Sequence, residues 1–337
     1  MAIDPADRAG RAPDAVRRVL VTGGTGTLGR HVVSALEDRP GVVARVLSRR
    51  GRTPETPSGR EWATADLASD PLEAALDGID AVVHLASEKG AGEVDVVGTR
   101  RLLEAAGQAE IRHVVVISII GCDRIPLPFY ASKVRIEALT RAARVPWSIV
   151  RVAQFHSFVE RLVAAPASLP VPSPIVADLR FQPVDEREVA ERLVEIALGE
   201  PLGDAPEIAG PEVLTLGEIA AAWLADSGRP AALVPVPLDA FLRGSAGSWA
   251  GPGAPDPPGV RARFPAPAGA DSAPTGEDLA PADADSAPAG EDPVPAVLAW
   301  VPAVLEGYRS GDNTPRGAAT LGRVRFVDWL RRRSAMG

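Results

Sequence analysis

The feature that most constrains the fold of this chain is an apolar run that ends in regularly spaced glycines. Residues 19–22 precede Gly23, Gly26 and Gly29, and a helical pattern over residues 30–37 follows directly. This order predicts a strand, a tight turn and a helix, because glycine permits positive φ and close backbone approach. The N–H groups and the dipole at the helix start would then suit a pyrophosphate. A glycine-rich turn without a ligand is the alternative.

Five further apolar runs alternate with helical patterns along the chain. They are residues 42–47, 61–65, 80–87, 113–120 and 146–152. The run over residues 80–87 is almost continuously apolar, which is typical of a parallel strand buried on both faces. The alternation predicts an α/β fold, a Rossmann-like doubly wound parallel sheet with helices on both faces and ligands at the carboxyl ends of its strands. We expect His84, inside this run, to be a packed and hydrogen-bonded residue rather than a catalyst.

Composition narrows the class of protein. The 337 residues are 46% hydrophobic, which is enough for a sizeable core. The single cysteine, Cys122, excludes an internal disulfide and is typical of a reducing compartment, so we expect a cytoplasmic location. The net charge is −8, and we find no basic stripe and no apolar run long enough to span a membrane, so neither nucleic acid nor a membrane is an expected partner. Four scattered histidines predict no metal site.

The end of the second strand is where a dinucleotide fold selects its cofactor. Ser48, Arg49 and Arg50 stand there, about 20 residues beyond the glycines, and the position carries no carboxylate. A guanidinium matches the geometry of the 2′-phosphate, so we predict NADP(H) as the preferred cofactor, with NAD(H) possible. The alternative is a solvated loop, which we expect for one of the two arginines.

The alternation stops after residue 153, and we divide the chain there. Residues 1–16 are predicted to be a disordered lead-in and residues 17–153 the nucleotide-binding region. Residues 154–251 and 296–337 are predicted to form a smaller substrate-binding or lid region. It contains a possible strand over residues 176–183 and an amphipathic helix over residues 185–198.

Between those two pieces lies a segment of different composition. Residues 252–295 hold 11 prolines, eight acidic residues and two arginines, a net charge of −6, and a nine-residue unit recurs fourteen residues on. Nothing in this segment can bury a core, so we predict a disordered insertion. A docking role and a neutral expansion both remain open for it.

Several motifs together resemble the short-chain dehydrogenase/reductase superfamily in its atypical, NmrA-like branch. They are TGGTGTLG at residues 22–29, VHLAS at 83–87, ISIIG at 117–121, a helix bearing Lys133, and PWSIVRVAQFH at 146–156. The resemblance covers roughly residues 17–240 and resumes near residue 300. It implies that Asp66 binds the adenine amino group. Together with the glycine and arginine arguments, it gives the following cofactor contacts: Gly23, Thr25, Gly26, Thr27, Leu28, Gly29, Ser48, Arg49, Asp66, Leu67, Leu85, Ala86, Ser87, Lys133, Ala153, Gln154 and Phe155.

The resemblance also implies a catalytic tyrosine four residues before a lysine, because the two share one helix face. Lys133 is present, but Phe129 stands at the tyrosine position and has no proton to give. Tyr130 lies about 100° round the helix, where it could reach the site or could serve packing. Ser118 is the candidate for the family's serine, and His156 is a candidate substrate contact or acid; a structural hydrogen bond is its alternative. Lys133 would bind ribose or donate the proton itself.

Two functions follow from this mixture of intact and altered motifs. The first is an NADP(H)-dependent oxidoreductase that transfers hydride to a small carbonyl, quinone or enone. The second is a non-catalytic NADP(H)-binding redox sensor with a regulatory protein as its partner, motivated by Phe129 and Ile119. A nucleotide-sugar epimerase fits less well, since that branch normally keeps the missing tyrosine. We expect a monomer or a homodimer.

Overall fold

A parallel sheet forms the centre of the computed structural model, which describes residues 16–50, 60–87, 92–169, 171–228, 233–245 and 300–335. The described strands are β1 (Arg17–Thr22), β2 (Val42–Ser48), β3 (Glu61–Thr64), β4 (Ala81–His84), β5 (His113–Ile119), β6 (Trp147–Val152), β7 (Ser173–Val176), β8 (Arg180–Phe181), β9 (Gly203–Asp204), β10 (Glu207–Ala209), β11 (Leu214–Thr215), β12 (Leu233–Val236) and β13 (Ala319–Leu321).

Ten helices are described. They are α1 (Thr27–Glu37), α2 (Glu73–Leu76), α3 (Glu93–Gln108), α4 (Pro128–Arg141), α5 (His156–Ala167), α6 (Glu186–Leu198), α7 (Leu216–Ser227), α8 (Leu238–Ser245), α9 (Val301–Ser310) and α10 (Phe326–Ser334).

The strand order of the main sheet is β13-β10-β6-β5-β4-β1-β2-β3, with β9 also paired to β6. Neighbouring strands of this sheet run parallel to each other throughout its described residues. The six predicted strands therefore lie in the order 3-2-1-4-5-6 of a dinucleotide-binding fold, and the predicted fold class is confirmed. The carboxyl ends of β1, β4 and β5 lie next to each other at one edge of this sheet.

Helices cover both faces of the sheet because its strands are apolar on both sides. On β1, Val19 and Val21 pack in the core under α1 and α6, while Leu20 packs in the core under α2, α3 and α4. The amphipathic helix predicted over residues 185–198 is α6, and the Asp185 carboxylate caps it by accepting the Arg187 N–H. A helix on each face thus fixes the strand ends that border the candidate site.

The region after residue 153 has a core of its own, which includes Phe181, Ile219 and Phe326. The strand predicted over residues 176–183 is two strands, and the single-strand prediction is wrong. The reason is that β7 pairs in parallel with β12, whereas β8 pairs antiparallel with β11, so the chain turns between them. At the start of α7, Thr215 and Glu218 form a capping box, in which the side chain of each bonds to the backbone N–H of the other.

Asp70 precedes α2 without capping it. Its carboxylate accepts the Asp66 N–H and the Ser69 hydroxyl, and α2 begins only at Glu73. The predicted insertion over residues 252–295 and residues 1–15 of the predicted lead-in lie outside the described residues. Among the helices that are described, none has the length and apolar character needed to cross a bilayer.

Candidate cofactor and catalytic site

The glycine loop joins β1 to α1, and its glycines are required by close backbone contacts. Gly23 has φ +69°, and a Cβ there would lie 2.8 Å from the Ala86 nitrogen. A Cβ on Gly29 would collide with the Gly23 carbonyl oxygen, which already accepts the Gly26 N–H at 2.9 Å. The helix starts at Thr27, and no described side chain caps it. Its first N–H groups are therefore available to an anion, which fits the pyrophosphate of a dinucleotide.

A buried hydrogen-bond string runs from the end of β1 to α3, and it fixes the tautomer of His84. The Thr99 hydroxyl donates to the Asp95 carbonyl at 2.7 Å, so it must accept from His84 Nε2, 2.8 Å away. His84 Nδ1 is then the acceptor for the Thr22 hydroxyl, at 2.7 Å. Burial lowers the pKa of His84 to about 3, so the ring is neutral. His84 is the packed residue that the sequence predicts.

The same string holds the backbone beside the glycine loop. The Thr22 hydroxyl oxygen accepts the N–H groups of Leu85 and Ala86, each at 3.2 Å. Because Ala86 is the residue that Gly23 approaches so closely, the loop and the end of β4 are fixed against each other. The cofactor contacts predicted on these two segments therefore come together.

Lys133 lies in α4 with only 6% of its surface exposed. Its Nζ is 3.4 Å from Ser87 Oγ and 5.1 Å from the centroid of the Phe129 ring. The Ser87 hydroxyl donates to Asp95 Oδ2 at 2.6 Å. Burial lowers the pKa of Lys133, and the nearby Asp95 carboxylate opposes that change. Phe129, and not the neighbouring Tyr130, thus has its ring against the lysine ammonium.

The Tyr130 side chain points into a polar cluster formed with the region after residue 153, which we call the second region. Its hydroxyl lies 2.6 Å from that of Tyr308 and accepts from Gln154 Nε2 at 3.1 Å. The side-chain Oε1 of Gln154 in turn accepts from Asn313 Nδ2 at 3.1 Å. Burial raises the pKa of Tyr130. The structure therefore joins Tyr130 to residues that follow the predicted insertion.

Ser118 belongs to a buried ion-pair network on the same side of the sheet as α4. Its hydroxyl donates to Glu137 Oε1 at 2.6 Å, and the Arg151 guanidinium donates to both oxygens of Glu137 at 2.8 and 2.7 Å. Burial would raise the pKa of Glu137, but the hydrogen bonds from Arg151 and Ser118 outweigh it and hold the pKa low. Burial raises the pKa of the neighbouring Cys122 thiol to about 11. Within the described part of the chain, Ser118 therefore bonds to this network rather than to Lys133.

His156 is fully buried at the start of α5. Its Nε2 donates to the Val324 carbonyl at 3.1 Å, and its ring lies 5.6 Å from Phe326 and 5.7 Å from Trp329. Burial lowers its pKa, so the imidazole is neutral. These contacts agree with the alternative given for His156, a structural hydrogen bond, and not with a substrate contact. They hold α10 against the start of α5.

The loop after β6 carries the contacts predicted at Ala153, Gln154 and Phe155. The Ala153 N–H donates to the Ile208 carbonyl at 2.9 Å, and the Gln154 carbonyl accepts the Val184 N–H at 3.1 Å. Phe155 forms a parallel bridge with Val184. Backbone bonds to the second region therefore fix this loop at the carboxyl end of the sheet.

The residues predicted to select and bind the adenosine end follow two adjacent strands. Ser48 ends β2 opposite Thr64 of β3, so Arg49 and Asp66 emerge at the same edge. The Ser48 hydroxyl accepts the Arg50 N–H at 3.2 Å. The continuation of this loop, residues 51–59, lies outside the described residues.

Asp66 is held by a bond within its own turn, and Leu67 is held by contacts with α3. Asp66 Oδ1 accepts the Ala68 N–H at 2.8 Å. The Leu67 carbonyl accepts from Arg101 Nε at 3.1 Å, and its side chain lies against Gly98 of α3. One Asp66 oxygen is therefore used within the turn.

Sequence reasoning missed Asp95, Tyr308 and Asn313. A signal for Asp95 existed, because it shares the buried helical stripe of Thr99 and Leu102 and so places a carboxylate on an apolar face. Tyr308 carries a weaker signal as one of only two tyrosines in the chain. Asn313 carries the same kind of signal, since it is the only asparagine in the chain.

The glycine loop and strand order define a dinucleotide-binding protein, and comparison with known proteins identifies the family. Residues 23–163 match a family model described as NAD(P)H-binding. The chain belongs to this NAD(P)H-binding oxidoreductase family, of the NmrA-like, atypical short-chain dehydrogenase/reductase type. The nicotinamide cofactor is thereby assigned at the level of NAD(P)H.

Two relatives and one solved structure illustrate the range of the family. A (4-alkanoyl-5-oxo-2,5-dihydrofuran-3-yl)methyl phosphate reductase of Streptomyces griseus is 30% identical over 232 residues, 66% of this chain and 78% of that protein. The photosystem II assembly factor Ycf39 of Trieres chinensis is 29% identical over 164 residues, 45% of this chain and 51% of that protein. UDP-glucose 4-epimerase of Thermus thermophilus, solved with NAD, has TM-score 0.54 and 21% identity over 65% of this chain and 86% of that chain. This last likeness shows the fold alone.

Proposed function

We propose that the protein is an NADPH-dependent reductase that acts on a small carbonyl, quinone or enone, with Lys133 as the proton donor. The observation that carries the proposal is a buried ammonium group beside Ser87 and Asp95, at the carboxyl edge where the glycine loop also lies. The likeness to a named reductase supports it. When bound, the dihydronicotinamide would supply a hydride to the electrophilic carbon of the substrate.

Residues of the chain would bind the cofactor and supply the proton. The N–H groups at the start of α1 hold the pyrophosphate, Arg49 the 2′-phosphate and Asp66 the adenine. The Lys133 ammonium gives its proton to the substrate oxygen, so that an O–H bond forms as an N–H bond breaks. Lysine is left as a neutral amine until solvent returns a proton. The Phe129 ring covers one side of the ammonium, with its centroid 5.1 Å from Nζ.

Replacement of the lysine tests the proposal directly. Lys133→Met removes the proton donor while keeping the apolar stem, and we expect kcat for NADPH oxidation with quinones or enones to fall by about 100-fold or more. The matched control is Lys89→Met at the only other lysine of the chain, which should retain activity. Full turnover by Lys133→Met would exclude Lys133 as the donor.

The cofactor preference has its own test. If Arg49 binds the 2′-phosphate, Arg49→Ala should weaken NADPH binding by about 10- to 100-fold and leave NADH binding nearly unchanged. Arg50→Ala is the control, and fluorescence titration gives both dissociation constants. Equal losses for the two cofactors would exclude the contact.

A second function, a non-catalytic NADP(H) sensor, is favoured by one observation. The position of the family's proton-donating tyrosine holds Phe129, and Tyr130 is bonded to Tyr308 instead. The likeness to an assembly factor is compatible with such a role. A sensor would bind NADPH tightly, leave it unchanged through long incubation with all substrates of the panel, and capture its regulatory protein partner only when loaded.

A further inference from the structure

The helix α3 presents a buried carboxylate to the lysine of α4. Asp95 is 7% exposed and lies in the first turn of α3. Its Oδ2 accepts the Ser87 hydroxyl at 2.6 Å, which leaves the lone pairs of that hydroxyl facing Lys133 Nζ at 3.4 Å. Ser87, which is itself exposed, therefore bridges two buried side chains, the Asp95 carboxylate and the Lys133 ammonium.

The position of Asp95 is fixed independently of Ser87. The Asp95 carbonyl accepts the Thr99 hydroxyl, which itself accepts from His84 in β4. Because His84 is also bonded to Thr22 at the end of β1, the backbone of Asp95 is tied to the strand that carries the glycine loop. The geometry of the bridge is thus built into the central sheet.

The other titratable groups described around Lys133 are either neutral or paired with a cation. His84, on β4, is neutral because burial lowers its pKa to about 3. Cys122, after β5, is a protonated thiol because burial raises its pKa to about 11. Glu137, one turn along α4, is bound by Arg151 and Ser118. Asp95 is the carboxylate that opposes the effect of burial on Lys133.

We propose that Asp95, acting through Ser87, is a positioning residue that keeps Lys133 protonated and directed at the reaction site. This inference rests on the proposed reductase function, where it explains how a buried lysine can replace a tyrosine as proton donor. Burial alone favours the neutral amine, which has no proton to give at the moment of reduction. A fixed anion one hydroxyl away favours the ammonium form, and the amine regains its proton from solvent after each turnover.

The test measures the titration of Lys133 itself in the cofactor-free protein. The chain has two lysines, so ¹³Cε-labelled lysine gives two NMR signals, and Lys89→Arg assigns them. Asp95→Asn keeps an acceptor for Ser87 but removes the charge, and should lower the titration midpoint of Lys133 by about 1–3 pH units. Glu93→Gln is the matched control, because it removes a charge from the same helix turn at an exposed residue paired with Arg135, and should shift the midpoint by less than about 0.3 units.

Equal shifts in Asp95→Asn and Glu93→Gln would overturn the proposal. Should circular dichroism show that Asp95→Asn does not fold, Ser87→Ala decides the question: a smaller downward shift supports the bridge, and no shift overturns it. The basic limb of the pH profile for NADPH oxidation should move with the NMR midpoint. A shifted midpoint without turnover by the wild-type protein would contradict the reductase function alone, whereas turnover without a shifted midpoint would contradict the bridge alone.

Discussion

The nucleotide-binding region and the region after residue 153 use their buried polar groups in different ways. In the first, Thr22, His84 and Thr99 hold backbone in place next to exposed loop residues. In the second, Tyr308 and Asn313 bond to residues more than 150 positions earlier in the chain. The first arrangement prepares a surface for a ligand, and the second joins distant segments. The comparison indicates that ligand affinity and stability can be altered separately.

The largest expected effect on stability or cofactor binding comes from Gly29 at the glycine loop, and Gly107 of α3 serves as a matched helical glycine for comparison. Gly29→Ala brings a methyl group against the Gly23 carbonyl, so we expect it to destabilise the fold by about 3 kcal/mol or to abolish NADPH binding. Gly107 lies in α3, and a Cβ added there would meet no described atom within 4 Å, so Gly107→Ala should stabilise the fold by about 0.5–1 kcal/mol. Urea unfolding and NADPH titration measure both. Similar behaviour of the two variants would show that the loop is not closely packed.

A smaller effect on stability is expected from the buried tyrosine pair, Tyr130 and Tyr308, which joins the second region to α4. Tyr308→Phe removes one partner of a buried hydrogen bond and should lower the free energy of unfolding by about 1–2 kcal/mol, with cofactor affinity unchanged. Tyr130→Phe also removes the acceptor for Gln154 Nε2 and should therefore cost somewhat more. The double variant should cost less than the sum of the two single changes, since both remove the bond between the tyrosines.

This pair also decides the catalytic prediction for Tyr130. If its phenol donates the proton, Tyr130→Phe must lose turnover by a far larger factor than Tyr308→Phe. Equal activity in the two variants would leave Tyr130 with a structural role, in agreement with its contacts to Tyr308 and Gln154.

Much of the nucleotide-binding region could be predicted because its pattern is local. Apolar runs alternate with helices, and the glycine spacing marks the loop, so the strand order and the position of Lys133 follow. What Tyr130 and Ser118 contact could not be predicted. A rotation of about 100° along α4 decides which aromatic ring meets the lysine, and the partner of Ser118 is a glutamate nineteen residues away in a different element.

The second region was harder to predict because its strands and polar contacts depend on residues that are distant in the sequence. The partners of β7 and β8 lie on β12 and β11, so no local period shows where one strand ends and the other begins. Tyr308 and Asn313 follow the predicted insertion, and their contacts with Tyr130 and Gln154 depend on tertiary packing alone.

The edge strand β13 has a consequence for how the chain is synthesised. It adds in parallel to β10, more than 100 residues earlier, and Phe326, just beyond it, is fully buried. On the ribosome, the edge of β10 therefore stays unpaired until β13 has emerged. The core of the region after residue 153 likewise stays incomplete until residue 326 has emerged. The nucleotide-binding region can form earlier in translation, whereas the second region is complete only after residue 326 has been synthesised.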